Sequence, residues 1–314
     1  MKIKKILTFI ILSVIIVFVG VYGVTRIFNF DNQDLGNDEL SNTLTDDTSE
    51  SYEDKEKENE EVFEIVNVQG GKISERFLPP EGFERVSVEE GTFEEYLRTL
   101  PLKPHGSPVL FYDGREKPRN VHEAVIDMDI GDRNLQQCAD AVRRLRAEYL
   151  YAKGHYDRIQ STYVNGFIAD YATWMEGNRI VVEGNNAYWV HRAEYSNEYE
   201  SFRKYLEMVF SYANTVTLEQ ELKSIDVEDM QIGDVFMKGP LPGHCVIVVD
   251  MAKNIETGEK LFMIAQSYMP AQDIHVLKNN TDDSISPWYS INFGEVLSTP
   301  EWTFYDDQLM RFDD

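Results

Sequence analysis

Cysteine is almost missing from this chain: Cys138 and Cys245 are the only two in 314 residues. Two thiols cannot build a disulfide framework, and no CxxC or HxxxH spacing offers a zinc ion its ligands. Positive charge is scarce as well, with 30 Lys and Arg against 55 Asp and Glu and a net charge of −25. A field of that sign repels phosphate, which excludes nonspecific nucleic-acid binding and adsorption to an anionic bilayer. P-loop, GxGxxG and GxSxG motifs and internal repeats are lacking, so no cofactor is expected and no serine-hydrolase elbow is present. What remains is 42% hydrophobic, enough to bury a sizeable core.

Long apolar runs are confined to one place. Lys2, Lys4 and Lys5 precede an uncharged stretch from Ile6 to Val24, closed by Arg26. As a helix that stretch spans about 28 Å, close to the roughly 30 Å hydrocarbon core. The leading lysines place the N-terminus in the cytoplasm and everything after Arg26 outside. The expectation is a single-pass membrane anchor over residues 1–30. A cleaved signal peptide is the alternative, but it calls for a shorter run and a small-x-small site, which is lacking before Thr25. No cysteine follows the run, so a lipoprotein anchor is excluded.

Residues 31–61 hold 13 acidic side chains, two lysines and one aromatic, Tyr52. Such a composition cannot repay the entropy of folding, and a solvated, self-repelling linker is expected. The body, 62–314, keeps 42 acidic and 24 basic residues. It reads as an acidic, extracytoplasmic globular domain.

Within the body, Thr92 and Glu95 form a capping box for a short helix stopped by Pro101. Strands are expected at Val109–Tyr112 and Val121–Met128. Asp132 or Asn134 should cap a long helix reaching about Ala152, with Gly154 as its stop. A hairpin turns around Gly184-Asn185-Asn186, and a second long helix covers about Glu198–Tyr212. Strands follow at Asp234–Met237, His244–Asp250, Leu261–Gln266 and Asp273–Leu277. Helices and strands are segregated, which indicates an α+β fold.

Three positions can carry chemistry. Cys138 lies near the start of the long helix, where unpaired amides and the helix dipole favour a thiolate nucleophile. It also lies on an apolar stripe with Leu135, Val142, Leu145 and Tyr149, as a buried structural cysteine would. His244 opens a strand after Gly233-Asp234 and a Pro/Gly turn, well placed to reach a cleft or to be bonded within the turn. Gln266 ends the next strand and can face His244, fixing its tautomer. Gln137 or Gln136 can add an oxyanion donor. Strand parity sets His244 and Cys245 on opposite faces. A Cys138–Cys245 disulfide, the competing expectation for an exported domain, would turn His244 away from Cys138.

This order of helix-borne cysteine, Gly-Asp strand, Gly-His strand and polar strand residue resembles the papain-like cysteine peptidases of the NlpC type over 132–277. The resemblance implies a papain-like core and Cys138, His244 and Gln266 as nucleophile, base and orienting residue. Gln137 stands where that family commonly has Asp, and an extra hairpin and helix separate Cys138 from His244. Arg76-Phe-Leu-Pro-Pro-Glu-Gly-Phe83, Gln136-Gln-Cys-Ala-Asp-Ala141, Gln266-Ser-Tyr-Met-Pro-Ala-Gln272 and Thr299-Pro-Glu-Trp-Thr-Phe304 resemble a bacterial family known as domain of unknown function 4846. That likeness covers nearly all of 62–314 and implies no activity.

The expectation is therefore a membrane-anchored hydrolase or transferase acting on amide bonds, with cell-wall peptide as the substrate class. A noncatalytic envelope-binding module is the alternative, using the aromatic surface of Trp174, Trp189, Trp288 and Trp302. Asp127, Asp129 and Asp132 lack a calcium-loop template. Arg143, Arg144 and Arg146 read as a salt-bridged face. His105, His122, His155, His191 and His275 are too scattered to be argued as ligands.

Overall fold

The computed structural model describes residues 64–239 and 242–313. The anchor and linker expected over 1–61 lie outside the described residues. Among the described residues no helix is long and apolar enough to cross a membrane.

The first elements are α1 (Ile73–Arg76), β1 (Phe83–Arg85), α2 (Phe93–Arg98), β2 (His122–Val125) and α3 (Cys138–Ala152). Then come β3 (Gln160–Thr162), β4 (Ile168–Asp170), α4 (Tyr171–Met175), β5 (Asn178–Glu183), β6 (Asn186–His191), α5 (Tyr199–Tyr212) and α6 (Thr215–Gln220). The next strands are β7 (Leu222–Ser224), β8 (Val235–Lys238), β9 (His244–Asn254), β10 (Lys260–Gln266) and β11 (His275–Leu277). The chain ends with β12 (Tyr289–Ser290), β13 (Val296–Ser298), β14 (Thr303–Tyr305) and β15 (Leu309–Phe312). The fold is mixed α and β, and its sheets are antiparallel.

One sheet runs β2-β11-β10-β9-β8-β15-β7, with β1 added to β9 and β12 to β10. Every residue from His244 to Ala252 is buried, so both faces of β9 are covered and no alternation survives. Helices α2 and α3 pack across this strand. Phe236 and Phe262 meet Phe293, and Phe236 also meets Phe304, in the same core.

Helix α3 serves two cores. Val142 and Leu145 belong to the one around the large sheet, whereas Ala147 and Leu150 join a second with Tyr171, Trp174, Phe202 and Tyr205. That second core is the segment between Cys138 and His244: two small hairpins, α4 and α5. The β5–β6 hairpin closes on a Glu183–Asn186 pair, and Gly184 takes φ +60° in its turn.

Two local expectations need correction. Helix α3 begins at Cys138 with Gln137 as its cap, not at Asp132 or Asn134. Asn134 is engaged elsewhere, its Oδ1 accepting from the Ala271 N–H at 2.8 Å. The Asp140 carboxylate instead takes the Gln137 N–H at 3.1 Å and fixes the start there. Residues 109–112 form only isolated bridges, Leu110 to Glu116 and Phe111 to Gln272.

Candidate functional site

The site gathers where the start of α3 meets the beginning of β9 and the end of β10. Gly243 makes that junction possible: a Cβ there would sit 2.5 Å from Thr215 Oγ1 and 3.1 Å from the Lys238 carbonyl. Only glycine lets the chain pass so close before delivering His244.

Cys138 is the first helical residue and is 7% exposed. The neighbouring Cys245 and His244 side chains and the Ala139 N–H all favour its thiolate. Those partners, Cys245 foremost, outweigh burial and hold the thiol well below its ordinary range, at about 4. Burial and the neighbouring Cys138 push Cys245 well above the ordinary range. Of the two sulfurs, Cys138 is the one whose anion the surroundings favour.

Both cysteines are free. The disulfide expectation is thus corrected, and so is the parity argument behind it. Alternation sorts side chains above and below a sheet, but Cys138 comes from α3, which packs against β9. There it meets both His244 and Cys245.

His244 is 2% exposed, with Nε2 at 2.8 Å from Gln266 Oε1. The rings of Tyr268 and Trp302 flank it at 4.6 and 5.1 Å between centroids. Gln266 Nε2 approaches Glu301 Oε2 at 2.8 Å and His275 Nε2 at 3.3 Å. Glu301 is ion-paired with Lys117 at 2.7 Å. Burial pushes His275 down to about 3, a neutral imidazole whose Nδ1–H donates to the Asp273 carbonyl at 2.9 Å.

The structure thus brings Cys138, His244 and Gln266 together from three elements. Gln137 is different: its side-chain amide turns to Asn134 Oδ1 at 3.4 Å. Gln136 is the inward one, its Oε1 accepting from Arg144 while Nε2 is buried without a partner. Asp234 lies outside the cluster, gripped by Arg311 at 2.6 and 2.8 Å and by the Gln231 N–H at 2.7 Å.

Arg143 and Arg144 are ion-paired with Glu221 and Glu148 and buried. No group of three or more metal-ligating side chains occurs among the described residues. Sequence reasoning missed Lys117, His275 and Glu301 as site neighbours. The one signal was the Thr299–Phe304 run, which places Glu301 beside Trp302.

Residues 73–311 match the family described as Domain of unknown function (4846). The chain belongs to this family. The match takes in every residue of the cluster, from Lys117 through Cys138, His244 and Gln266 to Glu301. No curated protein matches the chain, and no solved structure does.

Proposed function

We propose that this member of the Domain of unknown function (4846) family is a cysteine hydrolase or transferase acting on amide bonds, built on a papain-like core. The observation that carries the reading is His244, hydrogen-bonded to Gln266 at 2.8 Å and near enough to Cys138 to lower its thiol. That is the geometry of an activated nucleophile whose base is itself oriented.

In the proposed reaction His244 holds the Cys138 proton, and the thiolate attacks the amide carbonyl carbon. The Cys138 N–H at the start of α3 receives the developing oxyanion. Collapse breaks the C–N bond, and the His244 proton leaves with the amine. Water, or a second amine, then gives its proton to His244 and releases the acyl group from sulfur. An oxyanion role for the Gln137 side chain requires it to leave Asn134.

The sequence pattern of 1–61 supports a membrane anchor, an acidic spacer and an extracytoplasmic body. Cell-wall peptide is the proposed substrate class, because such a spacer reaches some tens of Å beyond the bilayer. A noncatalytic envelope-binding module is the second reading. The near-complete burial of Cys138 and His244 favours it.

Alkylation of Cys138 with iodoacetamide, mapped by peptide and followed against pH, separates the two. The enzyme reading requires labelling of the folded chain well below about pH 8.5, slowed in His244→Ala. Labelling only after unfolding makes Cys138 a core residue and leaves the binding module.

A further inference from the structure

Lys117 and Glu301 form a buried ion pair against the back of the cluster, with side chains 5% and 8% exposed. We propose that Glu301 is a positioning residue: together with His275, and through Gln266, it determines which nitrogen of His244 carries the proton. The inference rests on the catalytic reading for its purpose but not for its geometry.

Hydrogen-bond chemistry fixes each step. Ion-paired with Lys117, the Glu301 carboxylate can only accept. The Gln266 atom 2.8 Å from it must therefore be the amide nitrogen. His275 makes the same demand from a second direction, since its Nδ1–H is committed to the Asp273 carbonyl and its Nε2 can only accept. With its NH2 group turned to these two acceptors, Gln266 presents its carbonyl oxygen to His244.

That oxygen accepts from Nε2–H, which leaves Nδ1 for Cys138. A reversed amide would put a donor on Nε2 and move the ring proton to Nδ1, where it would block proton transfer from the thiol.

Lys117 is held by a second lock. It also donates to Gln272 Oε1 at 2.8 Å, and Gln272 Nε2 is tied to the Pro270 carbonyl at 2.9 Å. The chain of contacts thus runs from a buried cation to the base, and every donor and acceptor in it has one consistent assignment.

The test reads the His244 tautomer by 15N NMR in the full chain carrying Cys138→Ser, at a pH where the ring is neutral. The expected result is protonated Nε2 and bare Nδ1. Glu301→Gln can keep an oxygen toward Gln266 and should retain that tautomer. Lys117→Met, Glu301→Met and His275→Phe together remove both acceptors of the Gln266 NH2 group without stranding a buried charge, and should bring in the Nδ1–H form.

Nδ1–H in the Cys138→Ser chain alone, which needs no further variant to fold, overturns the proposal. So does pure Nε2–H in the triple variant. Alkylation of the unsubstituted chain judges the enzyme reading separately. Tautomer control can therefore fail while His244 still activates Cys138, and a buried, unreactive Cys138 can coexist with tautomer control.

Discussion

Cys245 is a neighbour of Cys138, and it lowers the Cys138 thiol more than any other group does. The two residues come from α3 and β9, and neither helix periodicity nor strand parity predicts their meeting. Cys245→Ala should therefore move the pH midpoint of Cys138 alkylation upward. Cys245→Ser, which keeps an O–H donor, should leave it closer to that of the unsubstituted chain. Equal shifts in both variants would show that packing around the sulfur, and not the donated proton, sets the value.

Two buried titrating groups give stability opposite pH dependences. Burial pushes the Asp140 carboxyl from 3.8 up to about 7, so the folded chain keeps a proton that the unfolded chain releases. Stability from this group is full below pH 3.8 and is lost as pH rises through about 7. His275 is pushed from 6.5 down to about 3, so its contribution is full above 6.5 and is lost as pH falls through about 3.

Between roughly pH 4 and 6.5 these two slopes cancel. Asp140→Asn should remove the first and unmask the second, so that stability falls on acidification by about 1.4 kcal/mol per pH unit. His275→Asn should show the reverse slope. Urea midpoints at several pH values read both, and parallel curves for the two variants would refute the assignment.

The sequence made the periodic parts legible. The hairpin around Gly184, the helix to Tyr212 and strands β9 and β10 follow from spacing and turn residues alone. The meeting of Cys138, His244 and Gln266 follows from the NlpC-type resemblance and not from spacing, although each lies at the end of a recognisable element. The start of α3 was not legible, since Asn134 is diverted by Ala271, a partner far along the chain. Glu301 reaches Gln266 across 35 residues, and Lys117 reaches Glu301 across 184. No local pattern encodes such pairs. Gln136 and Gln137 are adjacent, and only the position of the cap decides which one turns inward.

Gly243→Ala probes how far His244 depends on its approach to the strand. The added methyl would meet Thr215 Oγ1 at 2.5 Å, so Thr215 or the entry to β9 must shift. His244 is the next residue, and displacement there should weaken its bonds to Cys138 and Gln266. Slower alkylation of Cys138 at low pH with little change in overall stability is the expected outcome. Thr215→Ala in the same chain removes the nearest atom and should recover part of the rate. An unchanged profile in Gly243→Ala would mean that the loop absorbs the methyl without moving the ring.

Asp250 tests the framework at the other end of β9. It is fully buried, accepting from Arg85 at 2.8 Å, from Arg98 at 2.7 Å and from the Met251 N–H at 2.9 Å. Through it, β1 and α2 are both tied to the central strand. Asp250→Ala leaves two guanidinium groups facing a buried site without a counter-charge, and should destabilise the fold by about 3–5 kcal/mol. Asp250→Leu combined with Arg98→Met replaces much of the charged cluster by apolar volume and should recover a large part of that loss. Denaturant unfolding measures both. Asp250 is six residues along β9 from His244, roughly 20 Å of strand. The Cys138 alkylation profile should therefore stay unchanged wherever the variants remain folded. A profile that moved with Asp250 would show that the far end of β9 sets the register at which His244 meets the thiol.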